Sequence, residues 1–404
     1  MMERTGILLG ICLGLTSFSI LQGSVFGAVL PSIVEEFGVD WSIIGVAMSV
    51  WTVISALSPM LFGRFVHRLY PMNSMALVMM MLSIPTILVA FVKDFFSLNV
   101  VKIVGSLAVP FSYPLAAKVV EMYVDSRKRG IATAIYNTGS MIGLALGYAV
   151  VALAGGYWKR SMITGGFLGV IYVPVAYILW KSLLESKVQR KPEWNDSQKR
   201  SHVSFKRVFS IILWLSFGHF SAVYTWNLMF NWLSTFLVRE IQLGYSFIAL
   251  VLGIMAVVSS VMEVFVGLWS DRVRGMRGRL IPLYTGLFPS AFLLILSTLS
   301  TNPLLTSILV GFSILFWRLS TPSFWAIFGD LIPQEHFEKA SSIYVGAVLL
   351  SGIASSIMNG YIVSLTGSMK YAILLSAFIL ILSPIFFTVA GKVGTRISGA
   401  WIHL

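Results

Sequence analysis

Long apolar stretches, separated by short polar segments, run along almost the whole chain. Twelve of them reach about 20 residues, the length that an α-helix needs to cross a hydrocarbon core of about 30 Å. In order, the predicted spans are residues 6–31, 41–63, 73–92, 97–121, 131–154, 162–181, 209–237, 246–269, 280–300, 304–329, 340–363 and 371–391. We therefore predict an all-α integral membrane protein with twelve transmembrane helices.

One long polar stretch lies between the sixth and seventh spans and contains the run KVQRKPEWNDSQKRSH. A charged, proline-containing segment between apolar helices is typical of a linker. We predict a six-helix bundle over residues 1–181, a cytoplasmic linker over 182–208, a second six-helix bundle over 209–391 and a cytoplasmic tail over 392–404. The first apolar run is too long for a signal peptide, so we interpret it as an uncleaved helix.

Composition and charge agree with a membrane location. Of 404 residues, 57% are apolar or aromatic and 11% are charged, about half the charged share of soluble domains. The net charge of +13 comes mostly from loops that twelve spans would place on one side, and cytoplasmic loops retain Lys and Arg. This predicts a multi-pass protein of the plasma membrane with both termini in the cytoplasm, a lipid environment and no nucleic-acid partner.

The sequence lacks the residues that several classes of chemistry require. Cys12 is the single cysteine, which excludes an intrachain disulfide. There is no nucleotide-binding loop of the Gly-x-x-x-x-Gly-Lys-Ser/Thr type and no mid-depth cluster of nucleophiles or metal ligands. We expect no cofactor, no metal and no enzymatic activity.

The loop between the eighth and ninth spans carries a distinctive motif. Gly267 precedes an Asp271-Arg272 pair, and a basic turn follows at Gly275. This resembles the loop signature of the major facilitator superfamily, and the resemblance implies a gate at the membrane surface. The matching loop of the first half keeps basic residues such as Arg64 but has His67 where the family usually has Asp. Two acidic residues at span ends, Glu121 and Asp330, are expected gate partners of basic loop residues.

Within that superfamily the chain is most similar to the anion:cation symporter group, which includes sugar-acid carriers. The motifs are Lys102 and Tyr113-Pro114 in the fourth span, Arg129-Gly130 after it, and Asn137 in the fifth. The resemblance implies a major facilitator fold and cargo contacts at Gln22, Asn137 and Tyr344. The family often has an Asp-Arg pair in the first helix and a Glu in the fourth, where this chain has Gln22-Gly23 and Val109. Proton coupling through those family carboxylates is therefore not carried over.

Arg318 is the most informative charge in the sequence. It lies near the middle of the tenth predicted span, about 20 Å from either surface at 1.5 Å per residue, and an Arg side chain reaches only roughly 6 to 7 Å. Its guanidinium can hold a carboxylate with two parallel hydrogen bonds. Helical spacing places Thr321, Pro322 and Trp325 on the same face. We predict an anion anchor, with an internal salt bridge as the alternative that would remove the inference to an acidic cargo.

A second polar contact is predicted in the fourth span. Lys102 lies in its outer part, and Tyr113 follows three full turns later on the same helical face. Snorkelling of Lys102 is the alternative. In the seventh span, Tyr224, Asn227 and Asn231 form a polar stripe that would line a cavity or make interhelical hydrogen bonds. The glycines at 139, 143 and 147 predict close helix packing.

Two residues could carry a coupled proton. His219 is the only histidine deep in a predicted helix, although a packing role is equally compatible with the sequence. Glu263 is the one acidic residue well inside a span, and it precedes Asp271 by eight positions, which favours pairing with Arg272 in the gate.

We therefore predict a monomeric secondary transporter that moves a small organic anion by alternating access, with or without a proton or sodium ion. Arg318 would hold the anion. The alternatives are a carrier of a neutral solute such as a sugar, or a drug exporter, with Arg318 in a structural salt bridge.

Overall fold

A computed structural model describes residues 2–124, 129–184, 204–273 and 275–398, except for a few side chains that include those of His67 and Asp271. The helices of the first part of the chain are α1 Met2–Phe37, α2 Trp41–Arg68, α3 Pro71–Val89, α4 Phe95–Ser106, α5 Ser112–Tyr123, α6 Arg129–Asn137, α7 Gly139–Leu153 and α8 Trp158–Leu184. Those of the second part are α9 Phe205–Asn231, α10 Leu233–Thr235, α11 Tyr245–Arg272, α12 Met276–Leu299, α13 Pro303–Leu319, α14 Thr321–Leu331, α15 Gln334–Thr366 and α16 Lys370–Ser398.

These helices form twelve segments that are long and apolar enough to cross a bilayer. The prediction of an all-α protein with twelve spans is confirmed, and the described residues contain no strand. Most of the predicted linker, residues 185–203, lies outside the described residues, as do residues 399–404 of the predicted tail. The helices extend into both regions, because α8 runs to Leu184, α9 begins at Phe205 and α16 continues to Ser398.

Two spans, the fourth and the tenth, are interrupted close to a proline, which the apolar pattern does not predict. The fourth span breaks between α4 and α5 at a 3₁₀ turn, Val109–Phe111, that contains Pro110. The tenth breaks at Ser320, between α13 and α14, just before Pro322. Proline has no N–H to donate and disfavours a helical conformation in the residue before it, so each helix ends close to its proline.

The chain forms two compact units, Met1–Trp194 with Leu243–Ala256, and Asn195–Gln242 with Val257–Leu404. Residues 243–256 thus group with the first unit, although we placed them in the second bundle. One cause is local: the ring of Tyr245 lies where a side chain at Gly156 would be, 2.8 Å from an ideal Cβ. Gly156 has φ +78, which also favours glycine.

Close packing in the first unit is built on the glycines of α7. A Cβ at Gly139, Gly143 or Gly147 would overlap atoms of α1, so the two helices touch through their backbones. Ser24 of α1 donates a hydrogen bond to the carbonyl of Gly143 at 3.0 Å. The packing role predicted for these glycines is confirmed.

The second unit is held by serine and threonine hydroxyls between α9 and its neighbours. Thr225 donates to the carbonyl of Ser376 at 2.9 Å, and Ser383 donates to the carbonyl of Gly218 at 2.7 Å. Each of these hydroxyls satisfies a backbone carbonyl of another helix, a common device where water is absent.

The two units share one further device. In the first, Glu36 near the end of α1 accepts hydrogen bonds from Trp158 and Lys159 at the start of α8. In the second, Glu240, which follows α9 and α10, accepts from Ser368 and the backbone N–H of Met369 at the start of α16. Glu36 accepts from two side chains, Glu240 accepts from a hydroxyl and a backbone N–H, and the helix dipole favours a carboxylate near a helix N-terminus.

Candidate functional site

Lys102 of α4 lies against two aromatic rings in the first unit. Its Nζ is 3.9 Å from the centroid of the Phe26 ring in α1 and 5.2 Å from that of Trp51 in α2. No described carboxylate lies within ion-pair distance of it. Ring faces attract a cation but do not neutralise it, so Lys102 keeps a net charge that a bound anion could match.

The position of these rings is set by a neighbouring amide. Asn99, one turn before Lys102 on α4, accepts a hydrogen bond from the indole Nε1 of Trp51 at 3.1 Å. The amide nitrogen of Asn99 donates to the carbonyl of Phe95, which fixes its orientation. Phe26 packs edge-on against Trp51 with centroids 5.4 Å apart. Three helices thus build the surroundings of one ammonium group.

Tyr113 does not share a continuous helical face with Lys102, contrary to our prediction. The break between α4 and α5 changes the register between the two residues, so the count of three turns no longer holds. The Tyr113 ring packs edge-on against Tyr136 of α6, with centroids 6.3 Å apart.

Arg318 has a carboxylate partner in the second unit. Its Nη2 donates to Oε2 of Glu263 in α11, and the two side chains are only 7% and 17% exposed. The structure therefore contains the internal salt bridge that we gave as the alternative, and Arg318 no longer supports the inference to an acidic cargo. The expected partner of Glu263, Arg272, has an exposed side chain at the end of α11, where water competes for its charge.

The backbone also favours a cation at this position. Arg318 lies in the last turn of α13, where the helix dipole places partial negative charge. The Trp226 ring lies 6.0 Å from the guanidinium carbon and stacks on Trp317 at 4.8 Å. Arg318 Nε has no hydrogen-bond partner among the described residues.

The residues that follow Arg318 belong to other environments, because the break at Ser320 ends the helical face on which we placed them. The hydroxyl of Thr321 donates to the Arg318 carbonyl, not to a ligand. Pro322 starts α14. Trp325 packs edge-on against Tyr344 and His219, with centroids 5.2 and 6.3 Å away.

His219 lies in an aromatic cluster of the second unit. Its ring centroid is 4.6 Å from that of Tyr344 and 5.0 Å from that of Phe324, and the residue is 7% exposed. No described acidic group pairs with it, and its Nδ1 has no described hydrogen-bond partner. This environment suits an uncharged imidazole, because a buried cation needs a counter-charge.

Most of the other predicted cargo contacts make hydrogen bonds that hold helices together. Gln22 donates to the carbonyl of Gly165 at 3.0 Å and is 4% exposed. Tyr344 donates to the carbonyl of Phe324, and Tyr224 contacts Asn359 at 3.5 Å. Gln22 keeps a buried amide oxygen, Oε1, that has no described hydrogen-bond partner. The role of these three residues as cargo contacts stays a prediction.

The three predicted asparagines are less buried. Asn227 donates to the carbonyl of Val223, one turn earlier in α9. Asn137 ends α6, Asn231 ends α9, and both are half-buried. Their role as cargo contacts stays a prediction.

The predicted gate is described only in part. Asp330 pairs with Arg279 at 3.0 Å, and Arg279 also donates to the hydroxyl of Ser270.

Gly275, with φ +81, supplies the turn before α12. The Asp271 side chain lies outside the described residues. The remaining gate residues are Gly267, where a Cβ would sit 3.9 Å from Pro322, and the exposed Arg64 and Glu121.

Phe26, Trp51 and Asn99 around Lys102, and Trp226 and Trp317 beside Arg318, were not predicted as site residues. Each contacts its cation from another helix or through a neighbouring side chain. Only the spacing of Asn99 and Lys102, three positions apart on one face, was visible in the sequence.

Twelve apolar spans in two units, with cations held inside them, are typical of a polytopic membrane transporter. The profile of the Major Facilitator Superfamily matches residues 12–356, so the chain belongs to that superfamily and is not an enzyme. The resemblance read from its loops is confirmed.

Relatives and solved structures agree with this family. The chain is 23% identical to the hexuronate transporter of Bacillus subtilis (strain 168), over 88% of this chain and 87% of the relative. It is also 23% identical to the "Probable L-galactonate transporter" of Escherichia coli (strain K12), over 84% and 79%. A crystal structure of a bacterial homologue of the human lysosomal transporter Spinster covers 98% of each chain, with a TM-score of 0.71 and 13% identity.

Proposed function

We propose that this chain transports a small organic anion, with Lys102 as the group that holds the anionic end of the cargo. The observation that carries the proposal is the position of Lys102 inside a span, against Phe26 and Trp51, with no described carboxylate beside it. Transport of a hexuronate by one relative, and of galactonate as the name of another indicates, supports a carboxylate as the anion.

The physical reason is the cost of a cation within a bilayer. A charged side chain inside a span is expensive unless a partner or water reaches it. The rings of Phe26 and Trp51 offset part of that cost, and a carboxylate would offset more of it through a charge-assisted hydrogen bond. The cation therefore favours the loaded state.

The remaining elements of the proposal follow from the family and the charge pattern. Transport proceeds by alternating access, without a cofactor. The protein lies in the plasma membrane as a monomer with both termini in the cytoplasm, since most basic residues fall in loops on that side.

The test is a binding screen of the purified full-length protein by thermal unfolding. The probes are glucuronate, galactonate, inorganic phosphate, glucose and a cationic dye. We expect stabilisation by glucuronate or galactonate that disappears in Lys102→Gln and persists in Lys118→Gln, a matched control in α5. Carboxylate stabilisation that survives in Lys102→Gln would contradict the role of Lys102.

A neutral-solute carrier is the second candidate, and one observation favours it. Because Arg318 is neutralised by Glu263, the second unit offers no free charge at that point. Stabilisation by glucose alone, equal in the parent protein and Lys102→Gln, would establish this alternative.

A further inference from the structure

The Arg318–Glu263 pair is an incomplete one. An Arg guanidinium has five N–H donors, and a carboxylate can accept from two of its nitrogens in parallel. Here a single hydrogen bond is made, from Nη2 to one carboxylate oxygen, while the buried Nε has no described partner. The guanidinium thus keeps donors for a second acceptor.

Glu263 is also isolated among the acidic groups. The other carboxylates with described side chains lie at or near span ends or in loops, as Glu36, Asp94, Glu121, Asp330 and Glu335 do. Arg318 is the one charged group that acts on it in the described structure. On α11 itself, Tyr245 and Arg272 lie at the two ends of the helix. The charge of Glu263 is therefore matched by Arg318 alone.

The pair also ties together two helices. The α11 span has the smallest buried share of the twelve spans. The ion pair links Glu263 of α11 to Arg318 of α13. Neutralising Glu263 would remove the charge from this bond and leave Arg318 in need of another anion. A change in the protonation of Glu263 would therefore alter the contact between α11 and α13.

We propose that Glu263 is the proton site of the transporter and that a carboxylate replaces it on Arg318 when Glu263 is protonated. One proton binds a Glu263 oxygen and one anion binds the guanidinium, so the local charge is unchanged. On release both leave, and the original ion pair reforms. This inference rests on the proposed transport of an organic anion.

Other groups are less suited to this role. Gln22 and Val109, in the first and fourth spans, have no group that can take a proton. His219 is surrounded by Tyr344, Phe324 and Trp325, so a proton there would create a buried cation with no described counter-charge. In Glu263, protonation removes a charge.

The first test needs no cargo. Infrared difference spectra of the purified protein, taken between mildly alkaline and mildly acidic pH, should show a protonated-carboxyl band that is absent in Glu263→Gln. The band should persist in Glu35→Gln, which removes an exposed carboxylate at the end of α1. An unchanged band in Glu263→Gln, or no band in the parent protein, would overturn the proposal.

The second test uses proteoliposomes with radiolabelled glucuronate. An inward proton gradient should raise accumulation by at least about tenfold in the parent protein and should leave accumulation in Glu263→Gln unchanged. Thermal unfolding and size-exclusion profiles establish that the variant is folded. Gradient-driven accumulation in Glu263→Gln would contradict coupling at this residue.

The two proposals fail in different ways. If glucuronate binding depends on Lys102 but the infrared band does not depend on Glu263, anion transport stands and the proton site is wrong. If the band depends on Glu263 but no carboxylate binds, the anion proposal is wrong and so is the anion exchange at Arg318.

Discussion

Lys102 and Arg318 are both cations inside membrane spans, and the protein accommodates them in opposite ways. Lys102, in the first unit, meets the rings of Phe26 and Trp51 and no described carboxylate. Arg318, in the second unit, donates to Glu263 at the end of α13. One charge is left available, and the other is matched within the protein.

This difference shows that the depth of a charged residue within a span does not identify the group that balances its charge. Arg318 is the deeper residue in the sequence pattern, yet it is the one with an internal partner. A paired cation is weak evidence for a ligand, because the ion pair already lowers its cost. An unpaired cation among rings is stronger evidence, and this moves the candidate anchor from Arg318 to Lys102.

The largest expected effect is on the stability of the protein, because only Arg318 has a carboxylate partner that can be removed. Glu263→Ala leaves a buried guanidinium unmatched and should lower the free energy of unfolding by about 3–5 kcal/mol. Denaturation in detergent measures this. The double variant Glu263→Ala with Arg318→Ala should recover much of the loss, since no charge is then unpaired. A loss in Glu263→Ala below about 1 kcal/mol would mean that the pair is not formed.

The next effect concerns the anion. Lys102→Gln should weaken glucuronate binding by about 1.5–3 kcal/mol, or roughly 10- to 150-fold, with little loss of stability. Titration calorimetry compares it with Lys118→Gln. Equal affinities in the two variants would show that Lys102 does not contact the anion.

A smaller effect should distinguish the two aromatic environments. Trp51→Leu removes a ring that faces an otherwise unmatched ammonium, and we expect about 0.5–2 kcal/mol of lost glucuronate affinity. Trp226→Leu removes a ring 6.0 Å from a guanidinium that already has Glu263, so it should change affinity far less. Similar losses in both variants would remove the distinction between the two cations.

The smallest effect tests how the Lys102 environment is positioned. Asn99→Leu breaks the hydrogen bond to Trp51 while leaving Lys102 in place, and should weaken glucuronate binding by about 0.5–1.5 kcal/mol. Because the chain has 12 tryptophans, the contribution of Trp51 is taken as the difference in fluorescence between each protein and its Trp51→Leu derivative, and this difference reports whether the ring moves. Unaltered affinity with a displaced ring would show that the ring does not act on the anion.

The twelve spans were predictable because the apolar character of a span is a local property of 20 or so residues. The breaks in the fourth and tenth spans were marked by Pro110 and Pro322, yet a continuous helix was predicted through both. That error placed Tyr113 beside Lys102 and Trp325 beside Arg318. Proline inside an apolar run should therefore be treated as a possible change of register.

The partners of the two cations could not be predicted from spacing. Phe26 and Lys102, or Glu263 and Arg318, lie on different helices far apart in sequence, and their contact depends on how those helices pack. The periodicity of one helix gives the face of a residue, not what lies opposite that face. We assigned Glu263 to the gate because it lies close to Asp271 along the chain. In the structure Glu263 contacts Arg318 inside the second unit instead.

The most direct measurement of the central claim is the affinity for glucuronate at mildly alkaline pH, at which the proposal expects Glu263 to stay paired with Arg318. It compares Lys102→Gln with the charge-neutral double variant Arg318→Gln with Glu263→Gln. We predict that Lys102→Gln loses binding and that the double variant retains it. Binding that survives in Lys102→Gln and disappears in the double variant would contradict this account.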